Sequence, residues 1–297
     1  MEINWYPICC ALLLGSGIGL LTGFFGAGGG FILTPALNIF LGLDMTLAVG
    51  TSAFQVCGAS VFTLWQRLDR RWMGCRVALA AAHGIFPGTW CGSRLITWLR
   101  LQGHWNIFGR SVTAADMALL LLFVLLLTGI GIGMYRELLH NRPEEMERPG
   151  LLQSWQLPPL AMFRTVPAGP FSVPVLAFLG FGMGILSGLL GIGGGVIMLP
   201  VLFYLVGQPI EYATLTTTMI VLLSGFGSAF FHGLNGNLAW ELLPTLLLGS
   251  LGGTLAGVRL LKKNGSRKLR KYFIWVIVAA LLLVVWKLFK LFLGGES

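Results

Sequence analysis

Charged residues are scarce in this chain of 297 residues: they make up 10% of it, whereas hydrophobic residues make up 56% and the mean hydropathy is +0.81. A soluble domain carries about 25% charged residues. The shortage excludes nearly all soluble enzymes and nucleic-acid-binding proteins, and it predicts a membrane protein whose main solvent is the lipid bilayer. The net charge of +9 indicates basic cytoplasmic loops rather than contact with nucleic acid.

Motifs for metals and cofactors are also missing. The five cysteines form no CxxC pair and show no Cys/His spacing typical of a metal site, so we interpret them as small packed residues. Residues 1–7 contain Glu2 but no Lys or Arg, and we therefore interpret the following apolar run as a membrane segment rather than a cleaved signal peptide. We expect no cofactor, no metal site and no catalytic residue.

The hydrophobic runs predict an all-α polytopic membrane protein with about ten segments. Their approximate bounds are 8–25, 27–42, 46–66, 75–99, 114–135, 172–190, 192–207, 211–232, 239–261 and 272–293. The second and seventh are short, and each adjoins a glycine cluster, at 26–30 and 191–195, where a helix should break. Each short segment could cross the membrane or form a re-entrant hairpin.

A polar stretch rich in proline separates two groups of five segments. Its prolines prevent a long helix and its charges are mixed, which predicts a linker without chemistry of its own. The predicted domains are an N-terminal transmembrane repeat over 1–135, a cytoplasmic linker over 136–171 and a C-terminal transmembrane repeat over 172–297.

The two groups of segments form an internal repeat. A shift of 165 residues places 15–95 on 180–260 without a gap and with about a quarter of the positions identical, and many of these are glycines. Because each half holds five segments, consecutive halves would face opposite ways across the membrane. This predicts an inverted-topology repeat, which is common in secondary transporters.

The basic residues predict the orientation. With the N-terminus outside, 15 of the 20 Lys and Arg residues fall in inner loops. The others are Arg94, Arg100, Arg110, Lys287 and Lys290. We therefore predict a multi-pass protein of the cell inner membrane with both termini extracytoplasmic.

The glycine clusters are the main candidate site. A helix that restarts after such a cluster presents free backbone N–H groups and partial positive charge, and glycine lets an anion come close. In an inverted repeat the two helix starts would face one central site. The candidate substrate-binding glycines are Gly28, Gly29, Gly30, Gly193, Gly194 and Gly195. Close helix crossing is the alternative role for them, whereas a dinucleotide fingerprint is excluded because its βαβ context and acidic residue are missing.

Hydroxyl and amide side chains complete the candidate site. Thr51 and Ser52 match Thr216 and Thr217 under the repeat, and Thr218 continues this candidate threonine run. Gln55 lies one turn after Thr51. All six can donate hydrogen bonds to an oxyanion. The alternatives are hydroxyl bonds to the helix backbone and an interhelical hydrogen bond from Gln55.

Two histidines and two glycine ladders have structural interpretations. His83 is a candidate for proton coupling, but its repeat position is Leu248, so a packed side chain is preferred. His232 belongs to a polar group that we expect at a solvated outer turn. The ladders have four-residue spacing and predict close helix packing. They consist of Gly15, Gly19 and Gly23 with their mates Gly180, Gly184 and Gly188, and of Gly84, Gly88 and Gly92 with Gly249, Gly253 and Gly257.

The blocks GFFGAGGGFILTPAL and GLLGIGGGVIMLPVL, followed by AVGTS and ATLTTT, resemble the sulfite exporter TauE/SafE family of membrane transporters. The resemblance covers nearly all of the chain outside the linker. It implies a bacterial-type inner-membrane permease for small anions, often sulfur-containing ones such as sulfite, thiosulfate or organosulfonates. The second half departs from the family pattern at Leu215-Thr216-Thr217, where Gly-Thr-Ser would be usual.

These patterns together predict a permease for a small anion, and a sulfur-containing oxyanion such as sulfite or an organosulfonate is the expected cargo. No nucleotide motif is present, so an ion, proton or substrate gradient would drive alternating access. A passive anion channel is one alternative. An intramembrane enzyme is disfavoured because a GxSxG motif with a partner His and paired intramembrane Asp residues are both missing. The oligomeric state stays open, a homo-oligomer included.

Overall fold

Helices form nearly all of the regular structure in the described part of the chain. The computed structural model describes residues 5–26, 28–67, 75–107, 110–139, 150–166, 169–264 and 267–293. Its α-helices are α1 Trp5–Phe25, α2 Gly30–Phe40, α3 Met45–Gln66, α4 Cys75–Leu101, α5 Ala114–Leu139, α6 Val173–Leu190, α7 Gly195–Pro200, α8 Ile210–Leu234, α9 Leu243–Asn264 and α10 Arg267–Leu293. Helix α7 continues into a π-helical segment, Val201–Val206.

Each of the ten predicted hydrophobic segments overlaps one of these helices. Ala27 of the first glycine cluster lies outside the described residues, and so do Arg70, Arg71, Arg142 and Arg148 of the basic inner loops.

Within the described residues, six helices are long and apolar enough to cross a membrane. They are Trp5–Phe25, Met45–Gln66, Ala114–Gly133, Val173–Leu190, Ile210–Leu234 and Leu243–Leu261. Large apolar side chains on these helices face outward: Leu125 of α5 is 71% exposed, Phe178 of α6 is 75% exposed and Leu248 of α9 is 66% exposed. Such a surface is unfavourable in water and suits the hydrocarbon core of a bilayer, as expected for an integral membrane protein.

Four helices pack in two close, parallel pairs along the predicted glycine ladders: α1 lies against α9, and α4 lies against α6. A Cβ atom at Gly19 would overlap the carbonyl oxygen of Ser250, and one at Gly184 would overlap that of Ile85. Any larger residue would push the two backbones apart, so the ladders serve helix packing. A shift of 165 residues converts the glycine contacts of one pair into those of the other.

Helices α3 and α8, which match under the repeat, cross each other and are the most buried of the six apolar spans. Gly225 of α8 packs against Ala53 and Cys57 near the middle of α3. The turn after α8 reaches Gly50, near the start of α3, because the backbone of Asn237 packs directly on it. The contacts therefore run in opposite directions along the two chains, so α3 and α8 are antiparallel.

Two short antiparallel strand pairs add to the predicted all-α architecture. β1 His104–Ile107 pairs with β2 Arg110–Thr113 between α4 and α5, after Gly103 ends α4 with φ of 76°. β3 Leu160–Ala161 pairs with β4 Phe171–Ser172 before α6, and a 3-10 helix over Leu151–Ser154 precedes them. Ser172 donates to the carbonyl of Leu157 at 2.7 Å, which ties the predicted linker to the start of α6.

Candidate functional site

Both predicted helix breaks occur at the glycine clusters. Helix α1 ends at Phe25 and α2 begins at Gly30, while α6 ends at Leu190 and α7 begins at Gly195. The backbone turns in both breaks through glycines with positive φ, a conformation that residues with a Cβ atom rarely adopt. These φ angles are 68° at Gly26 and Gly191, 64° at Gly28 and 67° at Gly193. Two matched pairs of glycines, Gly26 with Gly191 and Gly28 with Gly193, thus adopt the same left-handed conformation in the two breaks.

The two breaks meet between α3 and α8. A Cβ atom at Gly28 would lie 2.8 Å from Val221 Cγ1 and 2.9 Å from Val56 Cγ1. One at Gly193 would lie 2.9 Å from each of the same two methyl groups. Val56 and Val221 match under the repeat and are fully buried. The structure therefore brings the two clusters into one central region, which the valines fill.

The helix starts after the breaks share a hydrogen-bond pattern, although φ is −93° at Gly29 and 72° at Gly194. Gly29 and Gly194 are the N-cap residues, and each carbonyl accepts bonds from the N–H groups three and four residues later, at 2.9–3.2 Å. The N–H of Gly29 donates to Thr22 Oγ1 at 3.2 Å. The N–H groups of the next residues, Gly30 and Gly195, come before the first intrahelical bond.

Two predicted hydroxyl residues on α3 are bonded within the protein. Thr51 donates to the carbonyl of Leu47 at 2.7 Å and accepts from the N–H of Ala239 at 3.0 Å. Ser52 donates to the carbonyl of Gly191 at 3.1 Å. The Thr51 hydroxyl therefore connects α3 to the turn after α8, and the Ser52 hydroxyl connects α3 to the second glycine break.

The remaining predicted polar residues divide into bonded and unpartnered groups. The Thr216 hydroxyl accepts from Gln208 Nε2 at 2.9 Å. The Thr217 hydroxyl and both polar atoms of the Gln55 amide are buried without a hydrogen-bond partner among the described residues. Leaving such a group unsatisfied costs about 1–3 kcal/mol. Gln55 and Thr217 are thus the predicted side chains that remain free to bind a ligand.

Two further hydroxyl groups on α8 hold the break carbonyls: that of Thr218, which belongs to the candidate threonine run, and that of Ser224, which sequence reasoning missed. Ser224 Oγ donates to the carbonyl of Gly193 at 2.6 Å, and Thr218 Oγ1 donates to that of Gly26 at 3.3 Å. The available signal was the series of hydroxyl residues on one helix, at 216–218 and at 224. These bonds make α8 a support for both breaks.

The two histidines are placed opposite to expectation. His232 is fully buried, and its Nε2 lies 2.8 Å from the carbonyl oxygen of Gly188. It is not solvated because α8 continues to Leu234 and the following turn folds back, with the N–H of Asn237 donating to the His232 carbonyl at 2.9 Å. His83 is exposed rather than packed, because the glycine ladder on α4 directs another face of that helix toward α6.

The candidate site offers only neutral polar groups: glycine backbone, hydroxyls and one amide. Within the described ranges, no group of three or more His, Cys, Asp or Glu residues could hold a metal ion. The site can therefore bind an anion through hydrogen bonds and helix-start partial charges, without a charged side chain.

Comparison with known proteins places the chain among membrane transporters. It is 26% identical over 281 residues to "Probable membrane transporter protein YjnA" of Bacillus subtilis (strain 168), which covers 92% of this chain and 96% of that protein. It is 21% identical over 285 residues to "Probable membrane transporter protein YunE" of the same organism, covering 92% and 94%. A "Probable membrane transporter protein" of Xylella fastidiosa (strain 9a5c) is 24% identical over 286 residues, covering 92% and 94%. No solved structure matches the chain.

The family match agrees with these relatives. The model of the family described as "Sulfite exporter TauE/SafE" matches residues 11–284, which include both glycine breaks and both members of the repeat. The family and the names of the relatives indicate a transporter rather than an enzyme. The helices, the apolar surface and the match over nearly the whole length show that this chain belongs to the sulfite exporter TauE/SafE family of membrane transporters.

Proposed function

We propose that the protein is a secondary transporter of the cell inner membrane that moves a small sulfur-containing oxyanion, such as sulfite or an organosulfonate, by alternating access. The observation that carries this proposal is the meeting of two glycine helix breaks between α3 and α8. The unpartnered side chains of Gln55 and Thr217 lie on the same stretches of these helices, next to Val56 in sequence and one turn before Val221.

The donor groups of the site favour an anion. Helix-start N–H groups, the Thr217 hydroxyl and the Gln55 amide nitrogen all donate, and each carries only partial charge. The basic residues of the sequence lie toward the segment ends, so no Arg clamp of the kind that suits a multiply charged phosphate forms part of this site. A site of this type binds a small oxyanion loosely enough to release it. The choice of sulfur follows from the family's description as a sulfite exporter.

The closed centre supports alternating access. Val56, Val221, Gln55 and Thr217 are fully buried, so a substrate reaches them only after helices move. The same glycine contacts hold α1 to α9 and α6 to α4. The two halves of the repeat could therefore exchange their conformations, which gives two equivalent arrangements of the molecule. Exchange of the two arrangements would open the site to one side and then to the other.

The antiparallel crossing of α3 and its repeat mate α8 supports an inverted-topology repeat. We accordingly propose ten membrane segments, two of them short, in an N-terminal repeat over 1–135 and a C-terminal repeat over 172–297. The linker over 136–171 would lie in the cytoplasm and both termini outside, as the basic residues indicate.

Purified full-length protein in lipid vesicles tests this proposal with a panel of sulfite, thiosulfate, sulfate, a sulfonate, a neutral sugar and a cationic amino acid. We expect saturable movement of at least one sulfur oxyanion and stimulation of its uptake by the same anion inside the vesicle. Flux that neither saturates nor responds to internal anion would instead indicate a passive channel. Movement of the sugar or the cation without any anion response would overturn the proposal.

A further inference from the structure

Two matched hydrogen bonds join the ends of α3 and α8 to the glycine ladders. Arg67, directly after α3, donates from Nη2 to the carbonyl of Gly23 at 2.9 Å. His232, near the end of α8, places Nε2 at 2.8 Å from the carbonyl of Gly188. The 165-residue shift converts Arg67 into His232 and Gly23 into Gly188. The two halves therefore form equivalent contacts through different ionisable side chains, Arg67 in the first half and His232 in the second.

The His232 bond fixes where the ring can accept a proton. A carbonyl oxygen only accepts hydrogen bonds, so Nε2 must carry the hydrogen. In the neutral ring Nδ1 then holds a lone pair, and this atom is buried without a partner in the described part of the chain. A proton can bind at Nδ1, but the resulting imidazolium would lack an acceptor and a counter-charge in this closed arrangement.

Among the residues that the structure describes, no charged side chain faces His232 from the segments packed around it. Helices α6 and α7 carry no ionisable side chain, and α3 carries only Cys57. The other ionisable residues on elements packed against α8 are Cys75, Arg76, His83, Cys91, Arg94 and Arg100 on α4, Tyr204 in the π-helical segment and Glu241 in the turn after α8. Of these, Arg76, His83, Arg94, Arg100 and Glu241 are exposed. Glu211 and Tyr212 lie at the opposite end of α8.

We propose that His232 is the proton-binding residue of this transporter, and that a proton on Nδ1 weakens the closed contact between α8 and α6 and so opens this half of the molecule. The inference rests on the proposed transport function, and it assigns proton dependence to one half only. Burial lowers the pKa of Arg67 to about 10, which leaves its guanidinium charged at neutral pH. The contact between Arg67 and Gly23 is therefore insensitive to pH in the range where a histidine titrates.

The pH profile of transport tests the assignment. A sulfonate is the probe, because its own charge is constant between pH 5.5 and pH 8. In vesicles we expect wild-type flux to change at least about fivefold over this range. His232→Gln keeps a donor for the Gly188 carbonyl but cannot bind the proton, and His232→Arg introduces the group that its repeat mate carries. Both variants should show flat profiles.

His83→Gln is the matched control, because it removes an exposed histidine from the same membrane protein and should keep the wild-type profile. A His232→Gln protein that follows the wild-type profile, or a wild-type profile that is itself flat, would overturn the proposal.

Hydrogen exchange gives a readout that does not depend on the cargo. Amide protection over residues 185–192, corrected for the intrinsic exchange rate, should fall at least about fivefold from pH 8 to pH 6 in the detergent-solubilised wild type and stay constant in His232→Gln. Protection that is constant in the wild type would refute the role of His232. If no anion is transported at any pH, the proposed function fails, and the exchange result still decides whether His232 controls the contact.

Discussion

Thr216 and Thr217 are neighbouring threonines that are both fully buried, yet their hydroxyls have different surroundings. The Thr216 hydroxyl accepts from Gln208 Nε2, whereas that of Thr217 has no partner among the residues that the structure describes. Removing a bonded hydroxyl leaves its partner unpaired, but removing an unpartnered one breaks no hydrogen bond. This pair therefore allows a structural role and the proposed binding role to be tested separately at adjacent positions.

We expect Thr217→Val to preserve or raise stability while strongly reducing anion flux in vesicles, because valine keeps the volume and removes the hydroxyl that we propose as a substrate ligand. Thr216→Val is the matched control and should lower the free energy of unfolding by about 1–3 kcal/mol, since the Gln208 amide loses its acceptor. Thermal unfolding in detergent and flux measurements compare the two proteins. Wild-type flux in a folded Thr217→Val protein would exclude this hydroxyl as a substrate ligand.

At the scale of helices, the glycine ladders set how closely the two halves approach. A Cβ atom at Gly88 of α4 would overlap the carbonyl oxygen of Phe181 on α6 and would lie 3.0 Å from the Cα atom of Gly184. Gly182, on the same α6, would meet no atom within 4 Å if it carried a Cβ. Gly184 and Gly182 of α6 thus differ in function: Gly184 permits close backbone contact with α4, whereas Gly182 only reduces helix propensity.

We expect Gly88→Ala to lower the free energy of unfolding by about 1–3 kcal/mol, as overpacking of a close contact does. Its repeat mate Gly253 should respond in the same way. Gly182→Ala is the control, and it should be neutral or raise stability by about 0.5–1 kcal/mol through helix propensity. Denaturation in detergent compares the three variants, and equal stability of Gly88→Ala and Gly182→Ala would show that α4 and α6 need no close contact.

At the scale of the whole molecule, the internal repeat is present in the helix contacts as well as in the sequence. The contacts of α1 with α9 correspond to those of α6 with α4, and α3 lies antiparallel to its own mate α8. An inverted arrangement requires both relations, because inversion reverses the direction of every helix in one half. The membrane orientation of the halves is the corresponding prediction.

Single cysteines at Met162 in the linker and at Asn235 after α8, on a cysteine-free background, test this orientation. Met162 is 77% exposed and Asn235 is also exposed, so both positions are open to a reagent. An impermeant maleimide should label Asn235→Cys from outside in intact cells and Met162→Cys only after permeabilisation. Labelling of both cysteines from one side would contradict the inverted repeat.

The sequence alone determined the features that depend on composition and local chemistry. The shortage of charge predicted a membrane protein, the family resemblance predicted the TauE/SafE assignment, and the glycine clusters predicted helix breaks at 26–30 and 191–195. The four-residue glycine spacing also predicted the packing faces, because that spacing places residues on one side of a helix. Each of these inferences needs only the composition of the chain or the order of residues within short segments of it.

The tertiary structure alone decided which polar groups are bonded and which are unpartnered. Thr51 bonds to Ala239, 188 residues away, and Ser52 bonds to Gly191, 139 residues away, so nothing near either hydroxyl in sequence reveals its partner. The same holds for His232, which is buried because a turn folds over the end of α8 and Gly188 of another helix accepts its hydrogen bond. A hydrogen bond depends on distances and angles between atoms that only the folded chain brings together, and residue type alone therefore could not separate Thr216 from Thr217.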